Sequence, residues 1–496
     1  MKDLLSRSQD SSNKSSIFRK INKPFLVVCA VPLVLGLSAC SDDDDLILPT
    51  SQVNVFHASP DAPDVQLSID GNVVGTVDYK QASGLVTLFA GEHDVLVLDN
   101  IVGSGGTVID LSGTNFTANY RYDVLALNNV ASLDTMVLVD DSPSVAAGDV
   151  KVRVVHAAPA APEVDVFVTA VGADLTASTP INEIGTDTAF VFDTNIGPLT
   201  VAEGTYQIRV TLDDDTSSVV FDSGSVTLAG GSNLVIAAVQ NTGSGADDGS
   251  PISLAVLDGT STVGQIYDVG DNADIRVVHG SPDAPAVDVF LNDAASGVAN
   301  LAFAGVAPAQ STGTSAYVEG LANGSYNVKI SATGQPASSA VFDSSTTSTG
   351  DPTLAEGSVT SILALGELSD TNGNSADDFD LVYLADDNRS AALNARVRLV
   401  HGSVLAGNVD IYVLGSGDPI GNNTPAFSNV PIKASTGYTS LSAGSYDVVV
   451  TPTGTGTEAL RVTANVVAGG VYTAIVRDNA GPATPFTIIG LDGLAP

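Results

Sequence analysis

One pattern occurs four times along the chain and limits what it can fold into. It reads "VNVFHASPDAPDVQLSI" from Val53, "VRVVHAAPAAPEVDVFV" from Val152, "IRVVHGSPDAPAVDVFL" from Ile275 and "VRLVHGSVLAGNVDIYV" from Val397. Its histidines, His57, His156, His279 and His401, stand 99, 123 and 122 residues apart, the size of one small domain. A second signature, G-x-Y/H-x-V-x-V, follows roughly 35 to 50 residues later, as "GEHDVLV" at Gly91, "GTYQIRV" at Gly204, "GSYNVKI" at Gly324 and "GSYDVVV" at Gly444. Each copy then has a glycine-marked turn before an apolar run, such as "LAGGSNLVIAAV" at Leu228, and a short closing run such as "FTIIGLDG". The apolar period is two throughout, with Gly, Asn, Asp, Ser and Pro between runs. These features predict an all-β chain, a tandem array of four immunoglobulin-like β-sandwiches with about seven strands each. The expected sandwiches span 51–141, 149–259, 273–387 and 395–494. The Gly-x-Tyr signature predicts a tyrosine corner, with His93 standing in for the tyrosine in the first copy.

Ahead of the repeats lies a different kind of segment. Lys2, Arg7, Lys14, Arg19, Lys20 and Lys23 precede "PFLVVCAVPLVLGL", Pro24 to Leu37, an apolar run of signal-peptide length that is short for a membrane span. It ends in Leu37-Ser38-Ala39-Cys40, which resembles the lipobox of bacterial lipoproteins. That resemblance implies a signal peptide over 1–39 and an acylated Cys40, with 40–50 as an acidic tether. Several acyl chains, each CH₂ contributing about 0.8 kcal/mol, hold such a protein to a bilayer without a spanning element. Cys29 leaves with the signal and Cys40 carries lipid, so disulfides and cysteine catalysis are not expected. Ser41 in place of Asp after the cysteine implies, by resemblance to Gram-negative sorting, an outer-membrane lipid anchor, periplasmic or surface-facing.

Charge narrows the partners. The 496 residues carry 56 Asp and Glu against 19 Lys and Arg, a formal charge of -37. A chain this acidic, without tryptophan, is not expected to bind nucleic acid. The expected partners are the membrane, through Cys40, and an extracellular or periplasmic protein or glycan.

The repeated opening resembles the bacterial family called domain of unknown function 4397, whose hallmark is a "VRVVHASPDAPxVDV" start. Copies one and three match it closely, whereas copy two lacks the turn aspartate and copy four both prolines. The resemblance implies an immunoglobulin-like fold in exported proteins and brings no activity with it.

Alternation places Ile275, Val277 and His279 on one strand face and Arg276 on the other, with Asp288 outward on the next strand. Asp61 and Asp283 have no counterpart in copies two and four although the histidine persists, so a His-Asp mechanism would fail in half the units. The four histidines are therefore expected to be neutral rings bonded to the backbone of the following turn. A single histidine per unit does not make a metal site. The acidic stretch Ser369 to Asp380 offers Asp370, Asn372, Asn374, Asp377 and Asp378 as oxygen ligands. Its glycine is misplaced for an EF-hand and no helix flanks it, so the expectation is a solvated hairpin loop, with weak calcium binding as the second reading. No other cofactor is expected. No catalytic motif occurs, and the expected function is non-enzymatic: a lipid-anchored envelope protein displaying tandem binding or adhesion modules. The alternatives are a passive envelope spacer and a hydrolase using one specialised repeat.

Overall fold

A computed structural model describes residues 48–101, 106–183, 189–242, 249–309, 316–369, 375, 377–479 and 485–493. The all-β array of β-sandwiches expected from the sequence is what the chain forms. Among the described residues the first sandwich has eight strands: β1 Thr50–His57, β2 Val65–Ile69, β3 Asn72–Val77, β4 Val86–Phe89, β5 Gly91–Asp99, β6 Thr107–Phe116, β7 Arg121–Leu127 and β8 Asp134–Asp140. One sheet has the order β4-β1-β7-β8 and the other β3-β2-β5-β6. Every pairing is antiparallel except β1 with β7, which run parallel from Gln52 opposite Arg121 to His57 opposite Ala126. The architecture is that of an immunoglobulin-like sandwich, but the opening strand lies inside its sheet, whereas the immunoglobulin order puts it at an edge. The other units repeat the arrangement, with Asp149–His156, Ala273–His279 and Ala395–His401 in the place of β1, each parallel to its unit's penultimate strand.

The Gly-x-Tyr signature fixes the corner between the two sheets. Tyr206, Tyr326 and Tyr446 donate their hydroxyls to the carbonyls of Ala202 (2.8 Å), Ala322 (2.6 Å) and Ser442 (2.9 Å), each four residues back. In the first unit His93 Nε2 bonds the Phe89 carbonyl at 2.8 Å, the same offset, and its Nδ1 bonds Asp70 at 2.7 Å.

The sandwiches do not stand apart. On β1, Val53 and Val55 enter the first sandwich's own core, while Phe56 on the opposite face joins Leu125, Leu127 and Leu138 against Val155, Val235, Ala237, Val239 and Leu257 of the second sandwich. Sandwiches three and four meet the same way through Val278, Leu363 and Leu365 against Val400, Ile475, Ile489 and Leu491. Each pair is thus a stack four sheets deep. The central strands of its middle sheets are buried on both faces, and every residue of β7, Ala273–His279 and Ala395–His401 is buried. Burying a large aliphatic side chain contributes about 1.5–3 kcal/mol, so these shared clusters hold the pairs together as strongly as a modest domain core.

Candidate functional site

The repeated histidine ends its strand on the core side. Its Nε2 bonds the carbonyl six residues on: His57 to Pro63 (2.9 Å), His156 to Pro162 (3.2 Å), His279 to Pro285 (3.0 Å) and His401 to Gly407 (2.6 Å). A ring that donates from Nε2 keeps Nδ1 as an acceptor, and the main-chain N–H of Ser59 and of Ser403 donates to it in the first and fourth units. Burial pushes all four rings below the ordinary histidine range, His57 to about 4 with help from the Arg389 charge. A neutral ring bridging a strand end to its own turn has no coordination position or transferable proton left at Nε2.

The motif aspartates are braces too. Asp61 accepts from the Val130 N–H (2.7 Å), and Asp283 from the N–H groups of Leu368 (2.8 Å) and Ser369 (2.9 Å), so each turn carboxylate holds the loop after its penultimate strand. In the fourth unit, which lacks that aspartate, Asp478 on the penultimate strand reaches back to the turn N–H groups of Val404 and Leu405. The bond is kept with its partners exchanged. Asp288 points away from His279 and accepts from the N–H groups of Asn300 (2.7 Å) and Gly334 (2.8 Å). Its counterpart Asp165 lies within 4.8 Å of Glu183 and Asp214 through their carboxylate oxygens, but both of its own oxygens already accept from Asn182 and from the Asp214 N–H.

Of the acidic stretch considered for calcium, Asp370, Asn372 and Asn374 lie outside the described residues, as does Cys40. The Asp377 carbonyl accepts from the Glu367 N–H at 2.7 Å, and the Asp378 carbonyl accepts from Lys433 Nζ. A lysine ammonium therefore already sits against this end of the loop. Sandwich two encloses an apolar cavity of about 50 Å³, walled by residues including Val154, His156, Val166, Phe190 and Ile236. It is unsuited to a polar ligand.

Polar chemistry gathers instead where sandwiches meet, around residues that alternation had not singled out. Arg276, which the strand period sets away from the core, is fully buried at the joint with the fourth sandwich. It pairs with Asp386 (2.9 Å) and Asp492 (2.5 Å), bonds Ser361 Oγ (2.6 Å) and lies over the Tyr317 ring. Arg398 approaches Asp386 from the other side at 2.5 Å. The linker between sandwiches three and four docks on the first sandwich. There Arg389 contacts Asp78 (2.7 Å) and the Ala62 carbonyl (2.5 Å), and Arg396 contacts Asp78 (3.0 Å) and Asp387 (2.5 Å). Burial works against the Asp78 charge, but the two guanidinium groups overcome it and hold its carboxyl well below the usual range. Neighbouring Asp64 is pushed up by burial and by the Asp78 charge.

On the second sandwich's side of the same turn, the Tyr79 hydroxyl donates to the Gln240 carbonyl at 2.6 Å. Lys80 Nζ donates to Asn241 Oδ1 (3.0 Å) and Ser253 Oγ (2.9 Å), between the rings of Tyr79 and Tyr267. Burial pushes this amine down to about 8. The signal for these sites was present in the sequence as scarcity. In so acidic a chain, an arginine in the middle of an apolar strand marks a polar partner across the joint: Arg276, Arg396 and Arg398 meet carboxylates, whereas Arg153 in the second copy is half-buried and bonds the Val139 carbonyl at 3.2 Å.

Fold and junctions together define a class: multi-sandwich β-proteins whose repeating unit opens on a strand-terminal histidine. The chain matches the family described as Domain of unknown function (DUF4397) over residues 51–167 and 273–412, more than half of its length, and it belongs to that family. The two matched stretches contain all four motif histidines. No curated protein matches the chain. Among solved structures it aligns with the Bacillus anthracis TIE protein at 9% identity, over 87% of this chain and 68% of that one, with a TM-score of 0.13.

Proposed function

We propose that this chain is a lipid-anchored, non-enzymatic protein of the cell envelope that presents two stacked pairs of sandwiches for binding a protein or glycan outside the cytoplasm. The observation that carries the reading is the basic segment and apolar run ending in Leu37-Ser38-Ala39-Cys40, with Ser41 favouring the outer membrane. Two features of the folded part support it. The repeated histidines bond their own turns, the turn aspartates Asp61 and Asp283 bond the loop after the penultimate strand, and the junction arginines are matched to carboxylates, so these groups act as fasteners. The strand β3 exposes Val73 and Val74 and pairs only β2 among the described residues, so its other edge is a surface suited to pairing with a partner's strand. The test is metabolic labelling with a fatty acid, followed by fractionation and protease treatment of intact cells. The wild type is expected to take label and sediment with membranes, and Cys40→Ala to lose both. An unlabelled wild type refutes the anchor. Failure of the purified full chain to bind any target in a glycan array and an envelope pull-down favours a passive spacer, a reading that the stacking into pairs also supports.

A further inference from the structure

We propose that Lys80 and Asn241 condense into a side-chain amide that ties the first sandwich covalently to the second. The two groups are already in contact, with Lys80 Nζ 3.0 Å from Asn241 Oδ1. Each is also held by its main chain. Lys80 sits at φ +61°, its N–H bonded to the His57 carbonyl at 2.8 Å and its carbonyl to Gln265 Nε2 at 3.3 Å. Asn241 continues the hairpin with its N–H on the Pro251 carbonyl at 2.8 Å, and its Nδ2 donates to the Ser250 carbonyl at 3.1 Å. Groups fixed in this way react at effective concentrations of about 10⁵ M or more, which is what a poor electrophile such as a carboxamide needs.

The third participant is Asp271. It is buried at 3% exposure, accepts from the Ser250 N–H at 2.9 Å and hydrogen-bonds the Asn241 amide. The reaction needs a neutral amine and an acid that can hold a proton, and burial moves both groups that way, Lys80 down and Asp271 up. In the step, the Asp271 carboxylate takes a proton from the Lys80 ammonium, and the freed Nζ lone pair attacks Asn241 Cγ. Asp271 returns the proton to Nδ2, the Cγ–Nδ2 bond breaks, and ammonia leaves. The second Nζ proton leaves with the ammonia, so one alkylammonium and one carboxamide become one secondary amide and one ammonium ion, with no oxidant or reductant.

The repeat supplies an internal comparison. Lys433 holds the same turn position in the fourth unit, at φ +68° with its N–H on the His401 carbonyl at 2.7 Å, but its Nζ meets the main-chain carbonyl of Asp378. The amide is therefore assigned to the first pair only.

The experiment is tryptic digestion and tandem mass spectrometry of the purified full chain. The expected result is a branched species joining the Lys80 peptide to the Asn241 peptide, lighter than their sum by one ammonia, absent from Lys80→Arg and Asn241→Ala. Complete cleavage after Lys80, with the Asn241 peptide at its unmodified mass, overturns the proposal. This readout on the wild-type chain does not depend on any variant folding. In Asp271→Asn, with an unchanged circular dichroism spectrum, the branched species is expected to fall at least tenfold, and an undiminished yield overturns the role given to Asp271.

Discussion

Replacing Arg276 by methionine keeps most of the side chain's length and deletes a guanidinium that touches Asp386 at 2.9 Å, Asp492 at 2.5 Å and Ser361 Oγ at 2.6 Å. Losing one member of a buried ion pair costs about 3–5 kcal/mol, because the partner charge is left in a medium that solvates it poorly. Here the lower end applies. Asp386 keeps Arg398 at 2.5 Å and the Tyr317 hydroxyl at 2.9 Å, and Asp492 is partly open to water. About 3 kcal/mol corresponds to a fall of about 6–12 °C in the melting temperature of a cooperative unit the size of two sandwiches. An arginine on a solvated strand face would change stability by no more than about 0.5 kcal/mol. Scanning calorimetry of Arg276→Met beside Arg461→Met separates the two cases. Arg461 pairs with Glu458 and Asp447 but is 27% exposed, so its loss is expected to cost less than about 1 kcal/mol. Equal and small shifts for the two variants would refute the buried joint between sandwiches three and four.

The histidine brace gives two further expectations. His279→Ala should lower stability by about 1–3 kcal/mol in urea unfolding, because the Pro285 carbonyl loses its partner, and an unchanged midpoint would contradict that. His57 is about 4 in the folded chain against 6.5 when solvated, so the unfolded chain binds the extra proton. Its contribution of about 3 kcal/mol is complete above pH 6.5 and is lost as the pH falls through about 4. His57→Gln should flatten the decline in stability over that window, and an identical slope in the variant counts against a neutral ring. Millimolar calcium should leave the melting temperature unchanged, because Lys433 already places a cation on the Asp378 carbonyl, and a rise reversed by chelator would show that reasoning wrong.

The sandwich was legible because its signals are local. A strict period of two, turn residues at fixed offsets and a Gly-x-Tyr corner each act within a few residues, and they placed His279 on the core face and Asp288 on the other without any tertiary information. The junctions were not legible by that route, because alternation distinguishes two faces of a strand and says nothing about what covers the second. Phe56, Val155, Val278 and Val400 stand one position before the histidine, on the face that also carries Arg276. Apolar residues on both faces of a strand are the mark of a sheet covered on both sides. The penultimate strands "VLAL", "LVIAAV" and "ILAL" repeat that mark as nearly continuous apolar runs.

A strand of that composition in an otherwise alternating sheet predicts a partner layer, and an arginine set among its valines predicts a polar group at the joint, a carbonyl for Arg153 and carboxylates for Arg276 and Arg398. The chain supplies Asp386 and Asp492 to Arg276, and Asp78 to Arg389 and Arg396. Buried pairs of this kind contribute little net stability compared with apolar side chains of equal size, yet a mismatch costs several kcal/mol. Repeats as alike as these could otherwise stack in many combinations through their valine faces. A wrong combination leaves these charges without their partners, a cost that apolar faces alone do not impose.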